Sequence, residues 1–418
     1  MGQIVYAFSA IDDNFWVSES LSLRRRSEFG INVYEFSFLF YLGLAYGFIQ
    51  IGEQQFRVMF DTGGFSRWVP SSRSAANLFP NRVKYDEKSP TRTSLEKRYV
   101  ASYSGKRYEG NVVMDNVLFP FVEMICCSTN VDANVKHDGI FGMRKPPRDR
   151  KRLEIFKVNL IDHFLAMGTV QQAVFTFRFC GQPGVREFSW FVNGNLIFGG
   201  VREDFHHLPI VYLPTYQSKQ WTVYIDSILY GDVVLCMPCR ANLDTGTPGT
   251  RVPVKPIQKL LQNSVLEAYD AGVLHVPFQS LPYLLPITIN MRSHAFILHP
   301  EQLVRQVGNV YVFAMEGMQD ASENKWLIGI SFLRHFHTIF DQQNNRVGFA
   351  AGWRTIFRLC YSLPFVACST AGIPQNDHHT KVGLVVFIHP RTTDILNRFY
   401  YPEQECQYFG GDVFACTD

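Results

Sequence analysis

The feature that most constrains the fold is a short motif that occurs once in each half of the chain. One apolar run ends in Phe60-Asp61-Thr62-Gly63-Gly64, and a second ends in Leu243-Asp244-Thr245-Gly246-Thr247. A single Asp-Thr-Gly is a weak signal, because such a tripeptide suits any tight turn. Two copies, each at the end of an apolar segment, indicate two halves built on one plan.

Other segments repeat in the same order around these motifs. Trp68-Val69-Pro70 follows the first motif, and Val252-Pro253 follows the second. Asp138-Gly139-Ile140-Phe141-Gly142 in the first half has its counterpart in Trp326-Leu327-Ile328-Gly329. With 418 residues, the chain is long enough for two globular lobes.

Strand signals dominate between the motifs. Short segments rich in aromatic and β-branched residues are separated by Gly, Pro, Asn or Asp, as at 56–60, 174–179 and 310–313. Helical spacing of apolar residues is rare, and the better helix candidates are 153–167 and 256–271. We therefore predict an all-β, bilobal fold of two related β-barrel-like lobes with a cleft between them and a few short helices.

The repeat also divides the chain into segments. We predict an N-terminal segment at 1–45, an N-terminal lobe at 46–204, a C-terminal lobe at 205–353 and a C-terminal extension at 354–418. The first segment is interpreted as a targeting sequence, a propeptide or an extra strand. The run 33–51 favours strands, with a membrane anchor as the alternative, and the first twenty residues lack the pattern of a signal peptide.

The paired motifs indicate a specific chemistry. If the two lobes are related by an approximate twofold axis, Asp61 and Asp244 reach the same cleft. Two carboxylates a few ångströms apart cannot both ionise cheaply, so the pair holds one proton over a broad acidic range. One carboxyl can then activate a water while the other polarises a carbonyl, without a metal or an organic cofactor.

Composition limits the partners. The chain has 40 Lys and Arg residues and 37 Asp and Glu residues, which gives a net charge of +3. This balance does not indicate a nucleic-acid-binding surface. Nine cysteines leave at least one outside intrachain pairs. Cys236 and Cys239 are interpreted as a small-loop disulfide or two buried thiols, and the four cysteines beyond residue 354 have the number needed for two disulfides in an oxidising compartment.

The motifs resemble those of the pepsin family over Tyr46 to Gly352. Besides the two Asp-Thr-Gly elements, the resemblance includes 68–71, the segment around Tyr103, 138–142, 196–200 and the segment from Phe340 to Gly348. It implies an aspartic endopeptidase that cleaves extended polypeptides, with bulky apolar side chains flanking the cut. It also implies a secreted or lysosomal/endosomal location, and we expect a monomer.

The resemblance assigns roles to individual positions. It implies that Asp61 and Asp244 are the catalytic pair, and that Thr62 and Thr245 lock the two turns together. The remaining positions are supporting or substrate-binding: Gly63, Gly246, Thr247, the flap residues Tyr103, Ser104 and Gly105, and Trp68, which the resemblance implies is hydrogen-bonded to Tyr103. Cys236 and Cys239 are at the place of a family disulfide, with tighter spacing.

The sequence departs from the family at three places near the site. Gly64 replaces a serine or threonine whose hydroxyl contacts the first aspartate, Ser104 and Lys106 replace flap glycines, and Ile330 replaces an aspartate. The first change motivates the hypothesis that Asp61 is harder to ionise than its family counterpart. The same departures support an alternative function, a peptidase-fold protein that binds peptides or a partner protein with little or no cleavage.

Overall fold

The computed structural model describes most of the chain between residues 24 and 351 and three short strands near the C-terminus. The described residues are 24–28, 31–41, 44–75, 77–103, 106–127, 137–146, 159–179, 194–202, 209–216, 220–268, 272–307, 309–318, 325–351, 386–387, 406–409 and 413–416.

Strands are the main regular elements among the described residues of the first half. In chain order its elements are β1 (Arg24–Glu28), β2 (Ile31–Tyr41), β3 (Leu44–Ile51), β4 (Gln54–Asp61), β5 (Arg67–Pro70), β6 (Thr93–Tyr103), β7 (Lys106–Asp115), β8 (Val117–Cys127), β9 (Gly139–Gly142), α1 (Leu160–Ala166), β10 (Val174–Phe179) and β11 (Gly194–Phe198).

The second half repeats this composition. Its elements are β12 (Val211–Pro214), β13 (Thr222–Ile225), β14 (Ser227–Tyr230), β15 (Val233–Cys236), β16 (Cys239–Leu243), β17 (Thr250–Pro253), α2 (Val254–Asn263), β18 (Glu267–Ala268), β19 (Val273–Val276), β20 (Ile287–Met291), β21 (His294–Leu298), β22 (Val304–Val307), β23 (Val310–Met318), β24 (Lys325–Ile328), α3 (Ile330–Leu333), β25 (Phe336–Asp341) and β26 (Arg346–Ala351), with 3₁₀ turns at Phe278–Tyr283 and Pro300–Gln302.

The internal repeat of the sequence is a repeat of strand topology. In the first half, β9 pairs in parallel with β4 and antiparallel with β5. In the second half, β24 pairs in parallel with β16 and antiparallel with β17. Each half therefore places a third strand between the two strands that flank its Asp-Thr-Gly turn.

Strands of the first half form one continuous sheet with three strands of the second half, β12, β25 and β26. The first-lobe strands and the order β12-β26-β25-β10-β11-β2 belong to one 14-stranded sheet, whereas an 8-stranded and a 4-stranded sheet contain the rest of the second half. The predicted mostly-β, bilobal pepsin-like architecture with few short helices is confirmed.

Aromatic side chains fill the core beneath the connecting strands. Phe175 stacks on Phe340 with ring centroids 5.0 Å apart, and Trp221 meets Phe340 edge-on at 5.1 Å. All three side chains are fully buried. Trp221 comes from the second half and Phe175 from the first, so this apolar packing ties the two halves together.

The described parts of the N-terminal run 33–51, which are 33–41 and 44–51, form strands. β2 continues the connecting sheet by pairing antiparallel with β11, and it then turns back to pair with β3. β1 pairs with β2. No helix among the described residues combines the length and the apolar character that crossing a bilayer requires.

The helix predicted at 256–271 is shorter than expected. α2 begins at Val254 and ends at Asn263, and the next residue, Ser264, is already extended. Leu266 continues the apolar spacing and is buried, but it lies beyond the end of the helix, where its amide donates to Ser264 Oγ at 3.2 Å. A side-chain hydrogen bond of this kind competes with the helix. Of the other predicted helix, α1 covers 160–166, and 153–158 lie outside the described residues.

The three C-terminal strands form a unit of their own, at β27 (Val386–Phe387), β28 (Cys406–Phe409) and β29 (Val413–Cys416). β29 pairs antiparallel with both β27 and β28, and Cys406 is directly opposite Cys416 in the register.

Candidate active site

The two aspartates are positioned by equivalent strand ends. Asp61 is the last residue of β4, and Asp244 follows the last residue of β16. The Asp61 carbonyl accepts from Met143 N at 2.7 Å, and Asp244 N donates to the Ile328 carbonyl at 2.9 Å. Each aspartate backbone is therefore fixed to the inserted third strand, or to its continuation, in its own half.

The threonines of the two turns form a symmetric cross-link. Thr62 Oγ1 donates to the Leu243 carbonyl at 2.9 Å and accepts from Thr245 N at 3.0 Å. Thr245 Oγ1 donates to the Phe60 carbonyl at 2.6 Å and accepts from Thr62 N at 3.1 Å. Both side chains are fully buried. Four buried hydrogen bonds thus hold the turns in one relative position, each contributing about 0.5–1.5 kcal/mol.

Glycine is required where each turn approaches the opposite aspartate. A Cβ atom on Gly63 would lie 2.5 Å from Asp244 Oδ2, and a Cβ atom on Gly246 would lie 2.6 Å from Asp61 Cγ. Real Cβ atoms do not tolerate such contacts. The absence of side chains at these two positions therefore lets the carboxyl groups share one site.

The two carboxyl groups differ in their hydrogen-bond donors. Asp61 Oδ1 accepts from both Gly63 N at 2.8 Å and Gly64 N at 2.9 Å. Asp244 Oδ1 accepts from Gly246 N at 2.8 Å, and its Oδ2 accepts from Thr247 Oγ1 at 3.0 Å. Donors therefore reach both oxygens of Asp244, whereas both amide donors of the first turn meet the same oxygen of Asp61.

Burial and proximity change the acidity of Asp61. The side chains of Asp61 and Asp244 are 2% and 7% exposed. Burial, followed by the charge of Asp244 and a hydrogen bond to it, raises the pKa of Asp61 well above its usual value, and the Gly63 and Gly64 amides only partly oppose this. The site therefore favours a protonated Asp61 into a pH range where an exposed aspartate is ionised.

Gly64 is the point at which the two turns lose their symmetry. It follows Gly63 where Thr247 follows Gly246 in the second turn. A Cβ atom on Gly64 would lie 2.4 Å from Asp61 Oδ2. The space that a side chain would need at residue 64 is thus occupied by the carboxyl group of Asp61, so a serine there requires that carboxyl group to turn.

The structure describes the predicted flap only in part. β6 and β7 form an antiparallel hairpin in which Tyr103 pairs with Lys106. Ser104 and Gly105, and the side chain of Tyr103, lie outside what the structure describes. Trp68 packs against the rings of Phe79 at 5.9 Å and Tyr108 at 6.1 Å, and Tyr108 belongs to β7 of the hairpin. The contact between Trp68 and Tyr103 therefore stays a prediction.

One pair near the site was not found from the sequence. Ser66 Oγ and Tyr99 OH are hydrogen-bonded at 2.5 Å, joining the segment after the first turn to β6. Neither residue belongs to a recognisable motif. The only available signal was the position of Tyr99 in the strand that leads to Tyr103.

Two further sequence predictions have a structural outcome. Cys236, the last residue of β15, and Cys239, the first residue of β16, form a disulfide, and Cys239 is five residues before Asp244. Ile330, which replaces a family aspartate, is fully buried, and its amide donates to the Thr247 carbonyl at 2.8 Å. The backbone contact beside the second turn is thus present without a carboxylate.

Comparison with known proteins agrees with this arrangement. A family model described as eukaryotic aspartyl protease matches residues 45–352. The chain is 29% identical to pepsin B of Canis lupus familiaris, over 73% of this chain and 80% of that protein. It is 28% identical to gastricsin of Oryctolagus cuniculus, over 74% and 82%, and 28% identical to cathepsin D of Rattus norvegicus, over 73% and 79%.

The chain therefore belongs to the eukaryotic aspartyl protease family. The resemblance to pepsin-like proteins between Tyr46 and Gly352 is confirmed, and the family level supports a peptidase acting on polypeptides.

Proposed function

We propose that the protein is an aspartic endopeptidase in which Asp61 and Asp244 activate a water molecule for attack on a peptide bond. The observation that carries the proposal is the symmetric threonine cross-link, which holds the two carboxyl groups in contact at the ends of equivalent strands. Because the pair shares one proton, one member acts as a base while the other acts as an acid.

The different hydrogen-bond donors of the two carboxyl groups support an assignment of these two roles. The Thr247 hydroxyl and the Gly246 amide stabilise a negative charge on both oxygens of Asp244. The second oxygen of Asp61 receives no hydroxyl from residue 64, which is glycine. Asp244 therefore begins the cycle ionised and takes a proton from the water, and Asp61 begins it protonated and polarises the scissile carbonyl.

The first step produces a tetrahedral diol without a covalent link to the protein. The water oxygen bonds to the carbonyl carbon, its proton moves to Asp244, and the Asp61 proton moves to the former carbonyl oxygen. Asp244 then returns its proton to the departing amine while Asp61 recovers a proton from the diol. The C–N bond is broken, one water is consumed, and both carboxyl groups return to their starting protonation states.

The substrate is an extended polypeptide that lies between the aspartate pair and the β6–β7 hairpin. The family resemblance supports bulky apolar side chains on both sides of the cut. The Cys236–Cys239 disulfide supports an oxidising compartment, because cytosolic thiols are kept reduced. A secreted or lysosomal/endosomal protein meets this condition.

The test is turnover of a denatured protein between about pH 3 and 6. Cleavage should be blocked by a statine-type transition-state mimic, which binds more tightly than substrate, and it should be lost in Asp61→Asn. If the wild-type chain binds the statine peptide but cleaves nothing over this range, the alternative function, peptide binding without cleavage, replaces the proposal.

A further inference from the structure

The segment that follows the first aspartate is rigidly attached to the first lobe. The Gly64 carbonyl accepts from Arg144 N at 2.9 Å, and the Ser66 carbonyl accepts from Gly142 N at 3.0 Å. β9, which contains Gly142, pairs in parallel with β4 up to Asp61. Ser66 is therefore a fixed point relative to the Asp61 backbone.

The β6–β7 hairpin is supported unevenly. β7 pairs with β8 along much of its length, whereas β6 is the terminal strand of the sheet among the described residues. Backbone hydrogen bonds therefore hold β6 on one edge only. Any further attachment of β6 to the lobe must come from its side chains.

Tyr99 supplies such an attachment. Its side chain is 7% exposed and packs in a cluster with Phe65, Trp68, Val112 and Val122. The next residue, Val100, is 48% exposed, which shows that Tyr99 is on the face of β6 turned toward the lobe. The Tyr99 hydroxyl is hydrogen-bonded to Ser66 Oγ at 2.5 Å.

We propose that the Ser66–Tyr99 hydrogen bond is a latch that sets the position of the β6–β7 hairpin relative to the catalytic turn. It joins the segment directly after the Asp61 turn to the hairpin strand that leads to Tyr103. Ser66 and Tyr99 are positioning residues, because they act through the hairpin and take no part in the transfer of protons. The inference rests on the proposed peptidase function, which it deepens.

The latch predicts a specific kinetic signature. Removing either hydroxyl eliminates the same hydrogen bond. Tyr99→Phe and Ser66→Ala should therefore each raise KM for a peptide substrate about two- to tenfold. The value of kcat should stay within about twofold, because Asp61 and its donors are untouched. The double variant should be no worse than either single variant, since the two changes remove one shared interaction.

The experiment measures kcat, KM and the Kd of a statine peptide for the full chain and the three variants. Ser66→Thr, which keeps a hydroxyl, should retain most of the wild-type KM. Tyr224→Phe, on an exposed tyrosine of β13, is the matched control and should leave KM unchanged. Hydrogen exchange of the β6 and β7 amides should become faster in Tyr99→Phe and Ser66→Ala.

The outcomes separate this inference from the proposed function. If wild type cleaves and the single variants lower only the thermal midpoint, or if their KM effects multiply in the double variant, the latch is overturned. If wild type does not cleave, the peptidase proposal fails, and the latch is then judged by the statine-peptide Kd and the hydrogen exchange of β6 and β7. Unchanged values in both measurements would overturn it as well.

Discussion

The two Asp-Thr-Gly turns are the same structure with different residues at the fourth position. Both contain a buried aspartate, a cross-linking threonine and a glycine pressed against the opposite carboxyl group. They differ at the fourth position, where Thr247 donates a hydroxyl to Asp244 and Gly64 offers Asp61 only its backbone amide. The fold therefore enforces the symmetry of position, whereas single side chains set which hydrogen-bond donors each carboxyl group receives.

The largest effect on activity is expected when either carboxylate of the pair is removed. Asp61→Asn and Asp244→Asn should each lower kcat by about 10²–10⁴-fold, because an acid and a base are both needed. Steady-state cleavage of a denatured protein measures the effect. Retained binding of a statine peptide would show that each variant is folded. A variant that keeps more than a tenth of the wild-type rate would exclude that aspartate from the chemistry.

The threonine cross-link is symmetric, so the loss of either threonine hydroxyl should lower the free energy of unfolding by the same amount. Thr62→Val and Thr245→Val keep the shape of the side chain but leave a buried amide and a buried carbonyl without partners. Each should lower the free energy of unfolding by about 2–4 kcal/mol. Denaturant unfolding measures this. Thr62→Ser and Thr245→Ser, which retain the hydroxyl, are the matched controls, and unequal losses in the two valine variants would contradict the symmetry.

A smaller effect is expected where the turns differ. Thr247→Val removes the hydroxyl donor of Asp244 and should lower kcat about tenfold, which corresponds to one hydrogen bond to a charged group. Thr247→Ser should retain most of the activity. If the valine variant is as active as wild type, the hydroxyl does not stabilise the ionised form of Asp244, and the assignment of Asp244 as the base loses its support.

Gly64→Ser tests the same position in the first turn. A serine hydroxyl that donates to Asp61 would lower the pKa of Asp61, so activity should be lost at a pH about one unit lower than in wild type as the acid form of Asp61 disappears. Gly64→Ala imposes the same Cβ contact with Asp61 Oδ2 but supplies no donor. If the alkaline limb of the rate profile moves equally in both variants, crowding and not hydrogen bonding governs Asp61.

The sequence predicted the strand repeat, the family and the positions of the two turns because these features are local. A strand ending in Asp-Thr-Gly is visible in a few consecutive residues, and its recurrence indicates the same architecture in each half. The all-β bilobal class is confirmed. The boundaries near 45, 204 and 353 and the catalytic roles of individual residues stay predictions.

The features that the sequence did not predict depend mostly on contacts that local sequence patterns do not reveal. Ser66 and Tyr99 are 33 residues apart, and no pattern in either segment indicates that their hydroxyls meet. The early end of α2 depended on Ser264, whose side chain accepts from the Leu266 amide in place of a further helical turn. Apolar spacing alone cannot distinguish a buried residue on a helix from one on an extended chain. The collision of a residue-64 side chain with Asp61 was likewise visible only in three dimensions.

The smallest expected effect is on the pH dependence of folding stability. Burial and Asp244 raise the pKa of Asp61 in the folded chain. The folded state therefore binds a proton that the unfolded state releases, and stability falls as the pH rises from the unfolded pKa through the folded pKa. Above the folded pKa the full penalty is present, and below the unfolded pKa there is none.

Asp61→Asn removes this ionisation while its side-chain oxygen can still accept from Gly63 and Gly64. It should raise the thermal midpoint by about 2–4 °C at pH 7, and the gain should disappear near pH 3. Asp232→Asn, on an exposed turn between β14 and β15, is the control and should show no such dependence. A rise in the thermal midpoint of the same size at both pH values would mean that the introduced amide group stabilises the turn by packing. It would also mean that the ionisation of Asp61 does not lower the stability of the folded chain.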